Sequence, residues 1–142
     1  MSEDLLAGYP VVVRIPVQWG EMDAYGHVNN TVFFRYFETA RVKYLHECGF
    51  LDSYDRERIG AILHSTSCRF RRSLFYPDTA IVGARAIDVG EDRYTMVYEL
   101  VSERLGALVA EGQDVVVSYD YSTRQVAPIP DPVRKRIEKL ES

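Results

Sequence analysis

The chain has 142 residues, enough for one domain that buries roughly 70% of its unfolded surface. At 46% hydrophobic and 27% charged, with 9 Gly and 6 Pro, its composition excludes disordered, collagen-like and disulfide-scaffold classes. Seventeen Lys and Arg against 21 Asp and Glu leave a formal charge of -4 and a pI near 5.4, the wrong sign for a nucleic-acid partner.

From the N-terminus, the acidic start Met1-Ser2-Glu3-Asp4 is no signal peptide, and the segment up to Gly8 is expected to fray. Val11, Val13, Ile15, Val17 and Trp19 alternate with mostly polar neighbours and predict a strand closed by Gly20. Pro16 cannot donate to a ladder, so this strand belongs at an edge or carries a bulge. A polar loop, Glu21 to Asn29, leads into a helix over Thr31–Cys48. Phe33, Phe37, Ala40, Tyr44 and Cys48 form its buried stripe with Tyr36 beside it; Asn29 or Asn30 caps its start and Gly49 ends it. Val32, Phe34, Val42 and Leu45 widen the apolar surface, so the helix is expected to be covered on most sides.

After a connecting stretch, Phe50 to Ile59, four more strands are predicted: Ala61 to Arg72, Thr79 to Val89, Tyr94 to Glu103 and Leu108 to Tyr121. Turn residues at Tyr76-Pro77-Asp78, Gly90-Glu91-Asp92 and Arg104-Leu105-Gly106 favour antiparallel hairpins, and the last dozen residues are expected to fray. The order is strand, long helix, four strands: an α+β domain over residues 1–142, in which exposed strand edges make dimerisation reasonable. The longest apolar run, Ala107 to Ala110, is far short of the ~20 residues of a membrane span. With only Cys48 and Cys68 and no C-x-x-C pair, the reading is a cytoplasmic protein with reduced, buried thiols.

Chemistry concentrates in Trp19-Gly20-Glu21-Met22-Asp23-Ala24-Tyr25-Gly26-His27-Val28-Asn29-Asn30. The first amides of a helix lack internal acceptors and sit at the positive end of its dipole, so they suit negative charge developing on a carbonyl oxygen. Asp23 lies just before them and Gly26 lets backbone approach a ligand, which points to attack on an ester or thioester. Each residue also has a plain structural role: a turn or cap for Asp23, loop ordering for His27, capping for Asn30. Tyr25 is a candidate acyl-pocket residue. His64, on the expected face of Ile62, Thr66 and Cys68, is a candidate ligand contact. With three His and no paired spacing, no metal site is expected. The cluster Arg69, Arg71 and Arg72 reads as a solvated strand face.

Asp23-Ala-Tyr-Gly-His-Val-Asn-Asn30, with Tyr36-Phe-Glu-Thr-Ala-Arg41 and Tyr76-Pro77-Asp78, resembles the hotdog-fold acyl-CoA thioesterases of the 4-hydroxybenzoyl-CoA thioesterase type. The resemblance implies the hotdog fold, a central helix wrapped by a five-stranded antiparallel sheet, and a homodimer or homotetramer with sites at the subunit interface. It implies hydrolysis of an acyl- or aryl-CoA, coenzyme A being part of the substrate and no cofactor required. Asp23 would be the catalytic carboxylate, as nucleophile or general base, with His27 and Asn30 beside it. Tyr25, Gly26, Val28, Asn29 and His64 would contact substrate, and amides around Val28 to Asn30 would hold the oxyanion. Glu21 departs from the Asp that many relatives carry there, and Glu38, a second candidate carboxylate, is expected to pair with Arg41. Release of acyl chains from a carrier protein and acyl-CoA binding without turnover are the alternatives.

Overall fold

Five long strands form in the computed structural model, which describes residues 2–142: β1 (Val11–Pro16), β2 (Ile59–Phe70), β3 (Thr79–Ile87), β4 (Arg93–Ser102) and β5 (Ala107–Asp120). A two-residue strand, β6 (Gln125–Val126), pairs with the end of β5 and makes the sheet six-stranded. All pairings are antiparallel in the order β1-β3-β4-β5-β2, so β1 and β2 are the edges. Pro16 ends an edge strand, where its missing N–H does little harm. The ladder stops there, and Trp19, expected as part of the strand, instead opens a 3-10 helix, Trp19–Glu21, with 72% of its surface exposed.

Among the five long strands, β3–β4 and β4–β5 are the hairpins. Tyr76-Pro77-Asp78 is not a hairpin turn, because β2 pairs with β5 at the far edge and the chain must cross the domain to reach β3. Asp78 still organises the crossing. Its carboxylate accepts from the Thr79 and Arg104 amides and the Ser102 hydroxyl, tying this segment to the β4–β5 turn.

The long helix, α1 (Asn30–Glu47), begins where the Asn29 carboxamide accepts the Thr31 N–H at 2.9 Å and is followed by Gly49 in the left-handed region, φ 86. Its predicted stripe is buried as expected. Phe37 stacks on Tyr98 of β4 at 4.8 Å between centroids, and Gly112 of β5 makes room for that ring: a Cβ there would lie 2.5 Å from Phe37 Cε2. Arg41 reaches into the same layer, donating to the Asp114 carboxylate at 2.7 Å. The expected local pair with Glu38 also forms, at 4.0 Å, beside this shorter bond.

The helix is not covered on most sides by its own chain. Val42 is 47% exposed and Phe34 and Leu45 are half-buried.

Three further expectations change. The connecting stretch folds as a short helix, α2 (Phe50–Glu57), anchored by buried Phe50. The last dozen residues are not frayed: α3 (Asp131–Glu141) buries Val133 and Ile137, and Glu141 accepts the Tyr44 hydroxyl at 2.6 Å and the Ala86 N–H at 2.9 Å. Near the N-terminus a 3-10 helix, Ser2–Leu6, buries Leu6 against Ile81 and Val101. Both ends are short segments whose few apolar residues become informative only once a surface exists for them.

Candidate active site

Before α1, the chain makes a narrow loop whose two sides are pinned together. Met22 and Val28 form an isolated bridge, the Asp23 N–H donates to the His27 carbonyl at 2.8 Å, and the Asn29 N–H donates to the Glu21 carbonyl at 2.9 Å. Gly26 makes the turn with φ 85; no atom would crowd a Cβ there, so glycine is needed for conformation rather than space. Glu21 fastens the loop to the helix, because the buried Tyr36 hydroxyl donates to its carboxylate at 2.7 Å.

Within this frame the Asp23 carboxylate accepts the Tyr25 N–H at 2.9 Å, and its other oxygen lies 3.2 Å from His27 Nδ1. Partial burial pulls the Asp23 carboxyl upward, but the Tyr25 amide and the His27 ring outweigh it and hold the group below its ordinary value. Asp23 is therefore a carboxylate at neutral pH. The His27 ring is braced in turn by Tyr25 on one side and the edge of Phe75 on the other.

The amides ahead of the helix are not equivalent. Val28 donates to the Leu74 carbonyl, Asn29 to Glu21, Thr31 to the Asn29 side chain and Val32 to the Asn29 carbonyl. Among the described residues, this leaves the Asn30 N–H, the first of α1, as the helix-start amide with no protein acceptor.

Asp23, His27, Val28 and Asn30 line one open cavity of about 360 Å³. Of the other expected contacts, Tyr25 is 85% exposed and stacks on His27, Gly26 shapes the loop, and Asn29 caps the helix; none of them walls the cavity. His64 lies outside it as well. The β2–β5 register shifts between Leu63 and Ser65, leaving His64 exposed in a bulge, and Ile62 and Cys68 then fall on opposite faces, so the common face expected for them does not form.

Residues not anticipated there are Phe33 and Phe70, edge to face at 5.1 Å between centroids, with Ser73 beyond them. Arg71 and Arg72, read as solvated, also border it; Arg71 is held by Glu111 at 2.6 Å. Only Phe33, on the helix stripe, carried a sequence signal, and that signal meant core. Both thiols are pushed up to about 11 by burial, which suits structural roles. Among the described residues, no group of three or more His, Cys, Asp or Glu is arranged to hold a metal ion. No helix among them is long and apolar enough to cross a membrane.

Residues 17–137 match the thioesterase-like superfamily. The chain belongs to that superfamily. A thioesterase from Thermus thermophilus, solved in complex with coenzyme A and Zn, is 29% identical to this superfamily member over 95% of this chain and 96% of its own, with a TM-score of 0.83. A protein of Aquifex aeolicus (strain VF5), provisionally named an esterase, is 30% identical over 109 residues, 76% of this chain and 85% of its own. A 1,4-dihydroxy-2-naphthoyl-CoA thioesterase from Synechocystis shares the fold, with a TM-score of 0.81 over 93% of this chain and 98% of its own at 19% identity. The sheet curled round α1 is the hotdog arrangement, and this superfamily member is a thioester hydrolase by class.

Proposed function

We propose that the protein hydrolyses the thioester of an acyl- or aryl-CoA, in the manner of the 4-hydroxybenzoyl-CoA type, with Asp23 as the reacting carboxylate. The observation that carries this is an ionised Asp23 and an uncommitted Asn30 N–H on one cavity wall. A carbonyl seated between them would direct its oxygen at the Asn30 amide, where charge developing in the transition state meets a fixed donor and the helix dipole. Two routes use this pair. In one, Asp23 attacks the carbonyl carbon, the C–S bond breaks to release coenzyme A, and water hydrolyses the acyl anhydride. In the other, Asp23 takes a proton from water, the hydroxide adds, and the same bond breaks to give free acid and thiol. His27 orients the carboxylate and sustains its charge.

The coenzyme A bound by the Thermus thermophilus relative supports a CoA thioester as substrate. Arg72, beside the cavity, would supply local positive charge that the net charge of -4 does not. A cytoplasmic homodimer or homotetramer with the site at its interface is part of the proposal, and the open β2 edge supports it. The test is thiol release from a panel of acyl-CoAs. Wild type should turn over and Asp23→Asn should lose about 10²–10⁴-fold in kcat; equal rates for the two would remove Asp23 from the chemistry.

A further inference from the structure

The face of the sheet turned away from α1 carries a groove of about 510 Å³. Strand alternation decides which side chains reach it. Tyr98 and Gly112 meet Phe37 on the helix side, so Glu99 of β4, Glu111 of β5, Arg69 of β2 and Arg85 of β3 point the other way. One side is closed by Tyr9, which lies so close against Gly83 that a Cβ there would come within 2.7 Å of the ring.

Arg69, Arg71 and Arg85 line this groove with Glu99 and Glu111, and both carboxylates are already committed. The two Glu residues stand directly opposite each other in the β4–β5 register, an arrangement that like charges disfavour. Each has an answer: Arg71 reaches Glu111 at 2.6 Å, and the Tyr9 hydroxyl donates to Glu99 at 2.8 Å. Arg69 faces Glu111 across the β2–β5 ladder, yet Arg71 holds that carboxylate. Arg85 rests over the Tyr9 ring, 5.5 Å from its centroid. Among the described residues neither Arg69 nor Arg85 has a carboxylate partner, although the chain's formal charge is -4.

Their spacing says what would neutralise them. β5 and β4 lie between β2 and β3, so three strand spacings of about 4.8 Å and a two-residue offset put the Arg69 and Arg85 Cα atoms roughly 15 Å apart. Each guanidinium is a planar fork that matches a phosphate, and two of them at this separation suit a ligand with two phosphate groups better than one small anion. Arg71 borders both this groove and the Asp23 cavity, so the two hollows share a wall at the end of β2.

We infer that the groove is a phosphate site, in which Arg69 and Arg85 each hold one phosphate of a nucleotide that carries two separated phosphate groups. Two sources supply that chemistry. One is the nucleotide end of the acyl-CoA itself, reaching over Arg71 while its thioester lies at Asp23; the other is a free nucleotide. The first source rests on the thioesterase reading, and the site itself does not.

The test titrates adenosine 3′,5′-bisphosphate by calorimetry into wild type, Arg69→Ala, Arg85→Ala and the double variant. Both arginines are exposed, so the fold should survive, which urea unfolding checks. A charged hydrogen bond is worth about tenfold in affinity, so each single variant should bind about tenfold more weakly and the double variant more weakly still. Undetectable binding to wild type, or equal affinity in the double variant, overturns the inference. Kinetics with an acyl-CoA and the matching acyl-pantetheine then separate the sources. A KM raised about tenfold for the acyl-CoA alone identifies the substrate's own nucleotide, and unchanged KM for both, with bisphosphate binding lost, identifies a free one. A KM raised equally for both thioesters would mean that the variants act by disturbing Arg71, which overturns the site. Calorimetry needs no turnover, so an inactive wild type would sink the thioesterase reading and leave the phosphate site standing.

Discussion

Tyr36→Phe isolates what the clamp between the loop and the helix contributes. Tyr36 is 2% exposed, and its hydroxyl donates to the Glu21 carboxylate at 2.7 Å. Phenylalanine keeps the ring, so the core should repack little and the change is confined to one hydrogen bond. Bonds to charged acceptors contribute about 1.5–3 kcal/mol. The same Glu21 oxygen still accepts the Gln18 N–H at 2.8 Å and is not orphaned, which puts the loss at the lower end, about 1.5 kcal/mol. Glu21 carries the Asn29 N–H on its carbonyl, one residue before the proposed oxyanion donor, so a looser Glu21 displaces Asn30 and Asp23 together. If the bond is fully expressed in the transition state, the same energy is about tenfold in rate. Thiol release by wild type and Tyr36→Phe, with kcat and KM measured separately alongside urea unfolding, gives the comparison. A roughly tenfold fall in kcat at near-constant KM is the expected result. Lower stability with unchanged kcat would refute the reasoning, since the bond would then hold the fold without positioning the loop.

The imidazole beside Asp23 helps to depress its pKa, so the carboxylate persists to lower pH than an ordinary one and is lost only as pH falls through that depressed value. Removing the ring in His27→Ala should therefore move the acid limb of the rate profile to higher pH; an unmoved limb would deny the coupling. Gly112→Ala forces a Cβ to within 2.5 Å of Phe37 and should cost about 1–3 kcal/mol by urea unfolding, while a neutral result would mean that the Phe37–Tyr98 stack yields easily. Glu141→Ala strands two buried donors, the Tyr44 hydroxyl and the Ala86 N–H, and should lower stability by about 2–4 kcal/mol; a change under about 0.5 kcal/mol would show that the end of α3 is not part of the cooperative unit. Tyr36, Tyr44, Tyr94 and Tyr98 all have hydroxyls pushed well above the ordinary value, mainly by burial. A raised folded pKa contributes stability that is intact below the unfolded value near 10.0 and is lost above it. Alkaline unfolding should thus begin beyond that pH, together with tyrosine ionisation in absorbance.

What the sequence disclosed tracks how local each signal is. The stripe Phe33 to Cys48, the Asn29 cap and the Gly49 stop are all written within one helix, and they emerged within a residue of expectation. The five long strands followed from alternation and turn chemistry. Their order did not, because nothing near Tyr76-Pro77-Asp78 states that β2 lies beyond β5. Arg41 shows the same limit. The partner three residues away, Glu38, was foreseen and is present at 4.0 Å, but the shorter bond to Asp114, 73 positions on, was not. In the candidate site, Asp23, His27 and Asn30 were legible as a motif, whereas Phe70 and Ser73 enter only through the register of a strand that ends at the cavity. The face expected for His64 changed for a related reason: a single bulge overturns an assignment that depends on strict alternation.

The pinning of the loop by the Met22–Val28 bridge and the Asn29–Glu21 bond has a bearing on how such a protein diversifies. Its tip is closed by a single glycine, so its length is fixed: an inserted residue would break the pairing that holds Asp23, while Phe70 and Ser73 of the cavity wall lie on and just after β2, a separate element, and can change side chains freely. The Asp23 carboxylate is a fixed fitting on an interchangeable housing. Substitutions at Phe70 or Ser73 could therefore reshape the cavity without rebuilding the loop that holds the Asp23 carboxylate.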